Sequence, residues 1–161
     1  MDTPRFERLV NLYTNKGLLE GVDGDAYYAA IQRLRLASDD LDGVRVLLEG
    51  GSLRLAYNAA YDTLRHAAEA VVRGAGGRVT SGLGTHEAVF ALADALVKGY
   101  DDEVFAGTRA TTSRLKRNSL EYPEDNPVSV DESDVEEVLQ WASDAIKAAE
   151  AFLSRSPLPT I

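Results

Sequence analysis

A chain of 161 residues, 45% hydrophobic and 27% charged, is long enough to bury one core as a single domain. It has no cysteine, which excludes disulfides, thiolate metal ligands and a cysteine nucleophile. A net charge of −9 excludes a body that grips nucleic acid over its whole surface, because phosphate neutralisation needs many cations on one face.

Met1 to Arg5 carry no apolar stretch of the signal-peptide kind, and no run of 18 apolar residues occurs anywhere. No membrane span is expected, and a cytoplasmic protein is the expectation. Thr3 as a cap and Pro4 at the first helical position predict a short helix that ends near Asn15, before Gly17. Gly21 to Gly24 reads as a turn, so residues 1–24 form a helical extension rather than a separate domain.

Residues 25–49 predict a long helix, with Tyr27, Ile31, Leu34, Leu41, Val44 and Leu48 as its apolar stripe. Gly50 and Gly51 end it, and Ser52 opens a second helix striped by Leu53, Tyr57, Ala60, Leu64, Ala67, Ala68 and Val71. The short connection makes the two antiparallel. Gly74 to Gly84 reads as a glycine-rich flexible loop. Thr85 caps a third helix with Val89, Leu92, Ala93 and Leu96 inward, closed by Gly99. A fourth helix starts at Asp101 or Asp102 and runs to about Leu120, where Pro123 and Pro127 forbid continuation. Ser133 and Glu136 predict a capping box for a last helix, with Val135, Val138, Leu139, Ala142, Ile146, Ala149 and Phe152 or Leu153 inward. Pro157 and Pro159 end the chain in a loose tail, residues 155–161. There is no strand-like alternation. The expected fold is all-α, an up-down four-helix bundle over residues 25–154 with an additional short N-terminal helix.

Several motifs fail on inspection. Gly77-x4-Gly82-Leu83-Gly84 lacks the Lys-Ser/Thr pair of a phosphate loop and follows a helix, not a strand. His86-Glu87 begins like a zinc-protease helix, but Phe90 stands where the second histidine belongs. His66, the other histidine, is on a different helix, so no transition-metal site is expected. The acids of residues 131–137 lack the oxygen spacing and central glycine of a calcium loop. They suit the start of a helix, whose dipole favours negative charge. No metal and no cofactor are expected.

Two constellations remain. Arg109, Arg114, Lys116 and Arg117 lie within ten residues, near the end of a helix. Arg114 and Arg117 are three apart and share a face; Arg109 and Lys116 are seven apart and lie nearly above one another. Such a cluster either complements the helix dipole or holds an anion through bidentate guanidinium donors. In the second helix Asn58, Tyr61, Asp62 and Arg65 fall on one flank, where they either lock packing or line a site.

The order of a helix with Asp40-Leu41-Asp42-x-Val44-Arg45-x-Leu47-Leu48-Glu49, a glycine turn, Leu55-Ala56-Tyr57-Asn58-Ala59-Ala60-Tyr61-Asp62 and a later Arg117-Asn118 resembles the HEPN superfamily (higher eukaryotes and prokaryotes nucleotide-binding) over residues 25–154. Catalytic members carry Arg, four to six residues, then His. Here Arg117-Asn118 matches the first half, Tyr122 occupies the histidine position, and no histidine follows. The tyrosine that a partner enzyme nucleotidylates in toxin-like members would be residue 124, which is Glu124.

The resemblance implies a homodimer whose paired motifs cleave RNA through its own 2′-hydroxyl, without metal. It makes Arg117, Asn118 and Tyr122 the candidate catalytic residues, and Arg109, Arg114, Lys116, Arg117, Asn58 and Asp62 the candidate ligand-binding ones. A tyrosine hydroxyl with an ordinary pKa of ~10 is a weak base at pH 7 beside histidine at ~6.5. The expectation is therefore a non-catalytic or weakly catalytic module that binds nucleotide, single-stranded RNA or a partner, with partial rescue of cleavage by Tyr122→His. A divergent ribonuclease toxin and a purely structural helical dimer are the alternatives. The resemblance also implies a toxin–antitoxin or defence-type setting with a nucleotidyltransferase-type partner.

Overall fold

The computed structural model describes residues 1–22, 24–99, 103–121, 129–155 and 157–161. It is an all-α bundle of the expected class, with helices α1 (Thr3–Asn15), α2 (Ala26–Glu49), α3 (Leu53–Gly74), α4 (Thr85–Val97), α5 (Gly107–Glu121) and α6 (Glu132–Leu153). Two three-residue strands, β1 (Leu19–Gly21) and β2 (Gly77–Val79), complete the described elements.

The central element is α3, which packs against α2, α4, α5 and α6. Ala56, Ala60, Ala67, Ala68 and Ala70 are all buried along it and let its neighbours approach closely. Tyr61, Leu64 and Val71 fill the space between. Against them α6 contributes Ala142, Ala145, Ala149, Phe152 and Leu153. Both Phe152 and Leu153 are buried, and Leu139 is half-buried. On α2 the buried line is Ala30, Leu34, Ala37, Leu41 and Val44. Tyr27, expected on this stripe, is 51% exposed; the small Ala30 and Ala37 take the core positions instead.

The N-terminal helix is part of the core rather than an appendage. Phe6 and Tyr13 are buried. Asp2 donates its backbone N–H to the Ala95 carbonyl at 2.9 Å, and Arg5 pairs with Asp94 on α4. The cap of α1 is Asp2, not Thr3: its carboxylate accepts from the Arg5 backbone N–H at 3.1 Å.

Three further expectations are corrected. The loop from Gly74 to Gly84 contains β2, which pairs antiparallel with β1 through Leu19–Val79, Glu20–Arg78 and Gly21–Gly77. Three-residue strands are too short to alternate visibly, and their partners lie far apart in sequence. The helix expected from residue 101 or 102 begins at Gly107; residues 101 and 102 lie outside the described residues. Before it, Val104 and Phe105 bury themselves in the core in non-helical backbone. The C-terminal tail is docked: Leu158 and Ile161 pack on the core, and the Ile161 N–H donates to the Ala75 carbonyl at 2.7 Å.

The last helix does carry a capping box, two residues earlier than expected. Asp131 is the cap and Asp134 its reciprocal partner. Hydrogen bonds from the Ser133 hydroxyl and the Asp134 backbone N–H hold the Asp131 carboxyl below the ordinary carboxylate range. Asp fits this place because it accepts from the orphan N–H groups and complements the dipole.

Candidate anion site

The four cations of α5 divide between two neighbours, as their spacing requires. Arg109 and Lys116 turn toward α6. The Arg109 guanidinium lies 5.6 Å from the Trp141 ring centre and 3.5 Å from Glu103. The Lys116 ammonium pairs with Asp134 and sits 5.7 Å from the Tyr57 ring centre. Both cations are therefore engaged in holding α5 to the bundle.

Arg114 and Arg117 turn the other way, toward α3 and α4. The Arg117 guanidinium lies 5.5 Å from the Tyr61 ring centre. Arg114 lines a cavity of about 330 Å³ shared with His86, Glu87, Phe90, Phe105 and Thr111. Among the described residues no carboxylate pairs with Arg114. Asn118 is exposed, and Tyr122 lies outside the described residues.

The floor of the site is Tyr61, which is fully buried. Its hydroxyl is 2.6 Å from His86 Nδ1, and the two rings stack with centroids 5.7 Å apart at 20°. Phe90 tilts against the same ring at 6.2 Å. Burial pushes the Tyr61 phenol up to about 12, against the opposing pull of Arg117, Arg65 and Arg114. Tyr61 is thus a protonated hydroxyl at neutral pH.

His86 occupies the first turn of α4, which Gly84 launches from a left-handed conformation (φ +89°). Burial, then the positive charge of Arg65 and Arg117, holds the His86 imidazole below its ordinary 6.5, with Asp62 opposing. His86 lines a second hollow as well, of about 510 Å³, together with Arg65, Glu69, Thr80, Ser81 and Thr85.

Arg65 is braced where it stands. It pairs with Glu69, approaches Asp62 at 3.5 Å, and its Nη2 lies 2.8 Å from His66 Nε2. An arginine only donates, so His66 Nε2 accepts and its proton sits on Nδ1, which donates to Asp40 at 2.8 Å. Arg33 closes the chain on Glu69 at 3.0 Å. This network spans α2 and α3 and fixes one wall of the second hollow. Half-buried Asn58, on the same flank of α3, keeps its Oδ1 out of solvent with no hydrogen-bond partner among the described residues.

The structure therefore gathers Arg114, Arg117 and Asp62 around Tyr61 and His86, and sets Arg109, Lys116 and Asn118 apart. The sequence singles out His86 only in a failed zinc motif and does not bring it to this site. It sits 25 residues from its partner Tyr61, and no spacing rule links them. The arrangement can do two things chemically. Guanidinium groups can hold an anionic oxygen, and the imidazole, held below its ordinary value, can accept a proton.

A family model described as HEPN domain matches residues 30–155 of this chain. No curated protein matches it.

Proposed function

The chain belongs to the HEPN domain family, a nucleotide- and RNA-related module, and from that premise we propose that it binds the phosphate groups of nucleotides or single-stranded RNA at the Arg114–Arg117 face of α5. The observation that carries this reading is the split of the α5 cations. Arg109 and Lys116 face α6, while Arg114 and Arg117 face the Tyr61–His86 pair, with Arg114 beside a cavity. A local cationic face inside an acidic body limits contact to a short stretch of backbone, because the remaining surface repels phosphate. Titration of labelled single-stranded RNA into the wild type and into Arg114→Ala tests this. Loss of affinity in the variant is the expected result, and equal affinity contradicts the reading.

The same proposal includes a homodimer, in which two such faces form one cleft and the contact is isologous. Static light scattering at micromolar concentration is expected to give twice 17.4 kDa. A single-chain mass at every concentration contradicts it. A toxin–antitoxin or defence-type setting with a nucleotidyltransferase-type partner is the biological context this reading carries from the family. Cleavage of RNA by the dimer is a second reading, favoured by a histidine beside the two arginines.

A further inference from the structure

A second cluster of cations gathers around α3, apart from α5. Arg65, Glu69 and Arg73 follow one another at four-residue steps and share one face of that helix. Arg33 joins them from α2 and Arg78 from β2. Within the cluster lies a cavity of about 90 Å³, lined by Arg33, Glu69, Val72, Arg73, Val79 and Val89. We propose that this cavity is a second anion site, which takes one free tetrahedral oxyanion of the phosphate or sulfate kind between the guanidinium groups of Arg73 and Arg33. It is separate from the α5 face and does not depend on the reading of that face.

Three observations carry it. The first is the pairing of charges. Glu69 is shared between Arg65 and Arg33, with Arg33 Nε at 3.0 Å, and Glu20 takes Arg78. Among the described residues that leaves Arg73 with no carboxylate, in a chain whose net charge is −9. The second is the setting of Arg73. It is half-buried. Burial and then the charge of Arg33 hold its guanidinium below the ordinary value; Arg78 acts the same way and Glu69 opposes. A partly desolvated cation among like charges costs stability until an anion joins it. Arg73 stands in the last turn of α3, where the helix dipole favours a cation. Arg33 and Arg78 do not share that reason, so the dipole alone does not account for the cluster.

The third observation is the shape of the cavity. Val72, Val79 and Val89 give it apolar walls, which strengthen a charge-assisted bond made inside. Its volume is far below the roughly 300 Å³ at which pockets for drug-sized ligands begin. A lone oxyanion suits it; a base and sugar do not. Glu69 does not oppose the ion, because Oε1 is turned to Arg65 and Oε2 to Arg33. Arg33 meets Glu69 through Nε, and its Nη groups carry further donors. Arg73 presents the rest of the cradle as a planar fork. An ion held there ties α2 to α3 and stabilises the fold by mass action.

The test is an amide NMR titration of the full chain with inorganic phosphate and, separately, with sulfate, chloride keeping the ionic strength constant. The amides of Arg73, Gly77, Arg78 and Val79 are expected to shift and saturate. Arg73→Ala should weaken that response by roughly 10- to 100-fold, while Arg114→Ala leaves it intact. Uridine 3′-monophosphate, in a third arm, should leave the β2 amides in place. Amides of β2 that move with neither ion overturn the proposal. A response that Arg114→Ala removes also overturns it, because the ion then sits on α5. So does a mononucleotide that shifts the β2 amides at lower concentration than inorganic phosphate, since the free ion is then the wrong ligand. Should Arg73→Ala fail to fold, Arg73→Lys takes its place: it loses the fork, and wild-type affinity in it contradicts the assignment.

Discussion

Tyr61→Ala is expected to lower folding stability by about 3–5 kcal/mol, the usual cost of emptying a buried aromatic position. The ring is fully buried between α3 and α4, with His86 stacked on it, Phe90 tilted against it and Arg117 above it. Truncation removes all of these contacts at once, and the surrounding helices cannot close the void. Tyr61→Phe keeps the ring and deletes only the hydroxyl, so its cost should be about 0.5–1.5 kcal/mol. Urea unfolding followed by circular dichroism separates the two. The phenylalanine variant should also loosen His86, because Nδ1 loses its partner. Equal losses in both variants would mean that the hydroxyl, not the packing, holds this end of the bundle.

The second large effect is on affinity. Each guanidinium that donates to a phosphate oxygen makes a charge-assisted hydrogen bond, worth about 1.5–3 kcal/mol. Arg114→Ala and Arg117→Ala should each weaken single-stranded RNA binding by roughly 10- to 100-fold. Each should also reduce the slope of log affinity against log salt by about 0.7. Arg109→Ala and Lys116→Ala remove charges that are already paired with Glu103 and Asp134. Those substitutions should loosen α5 against α6 and leave the slope nearly unchanged. Fluorescence anisotropy over a salt series reads both quantities. Four equal effects would contradict a site on one face of α5 and return the basic segment to a diffuse patch.

The division of α5 was legible before the fold was known, because residues three apart share a face and residues seven apart stack. Arg114 and Arg117 meet the same partner, Tyr61, electrostatically, and Arg109 and Lys116 both face α6. The long helices were legible for the same reason: Leu34, Leu41 and Val44 recur at helical steps and are buried. Tyr27 misled because pattern reading weights large apolar residues, whereas the close approach of α2 and α3 selects the small Ala30 and Ala37. The strands escaped because their stability comes from a partner 58 residues away, as with Glu20 and Arg78, and not from local alternation. His86 escaped for a related reason. A motif is a statement about spacing, and the group that approaches Arg117 arrives from an earlier helix, through the turn that Gly84 starts.

The proposed anion site joins His86 to the α5 arginines. The chain contains two histidines, so its imidazole NMR spectrum holds two sets of resonances, assigned at once by His86→Gln. Titration with uridine 3′-monophosphate should shift the His86 resonances and move its midpoint upward, because the phosphate offsets the arginines that hold it below 6.5. The His66 resonances, from a ring fixed between Asp40 and Arg65, serve as the internal reference. His86 resonances that remain unmoved while the nucleotide reaches millimolar concentration would contradict the account.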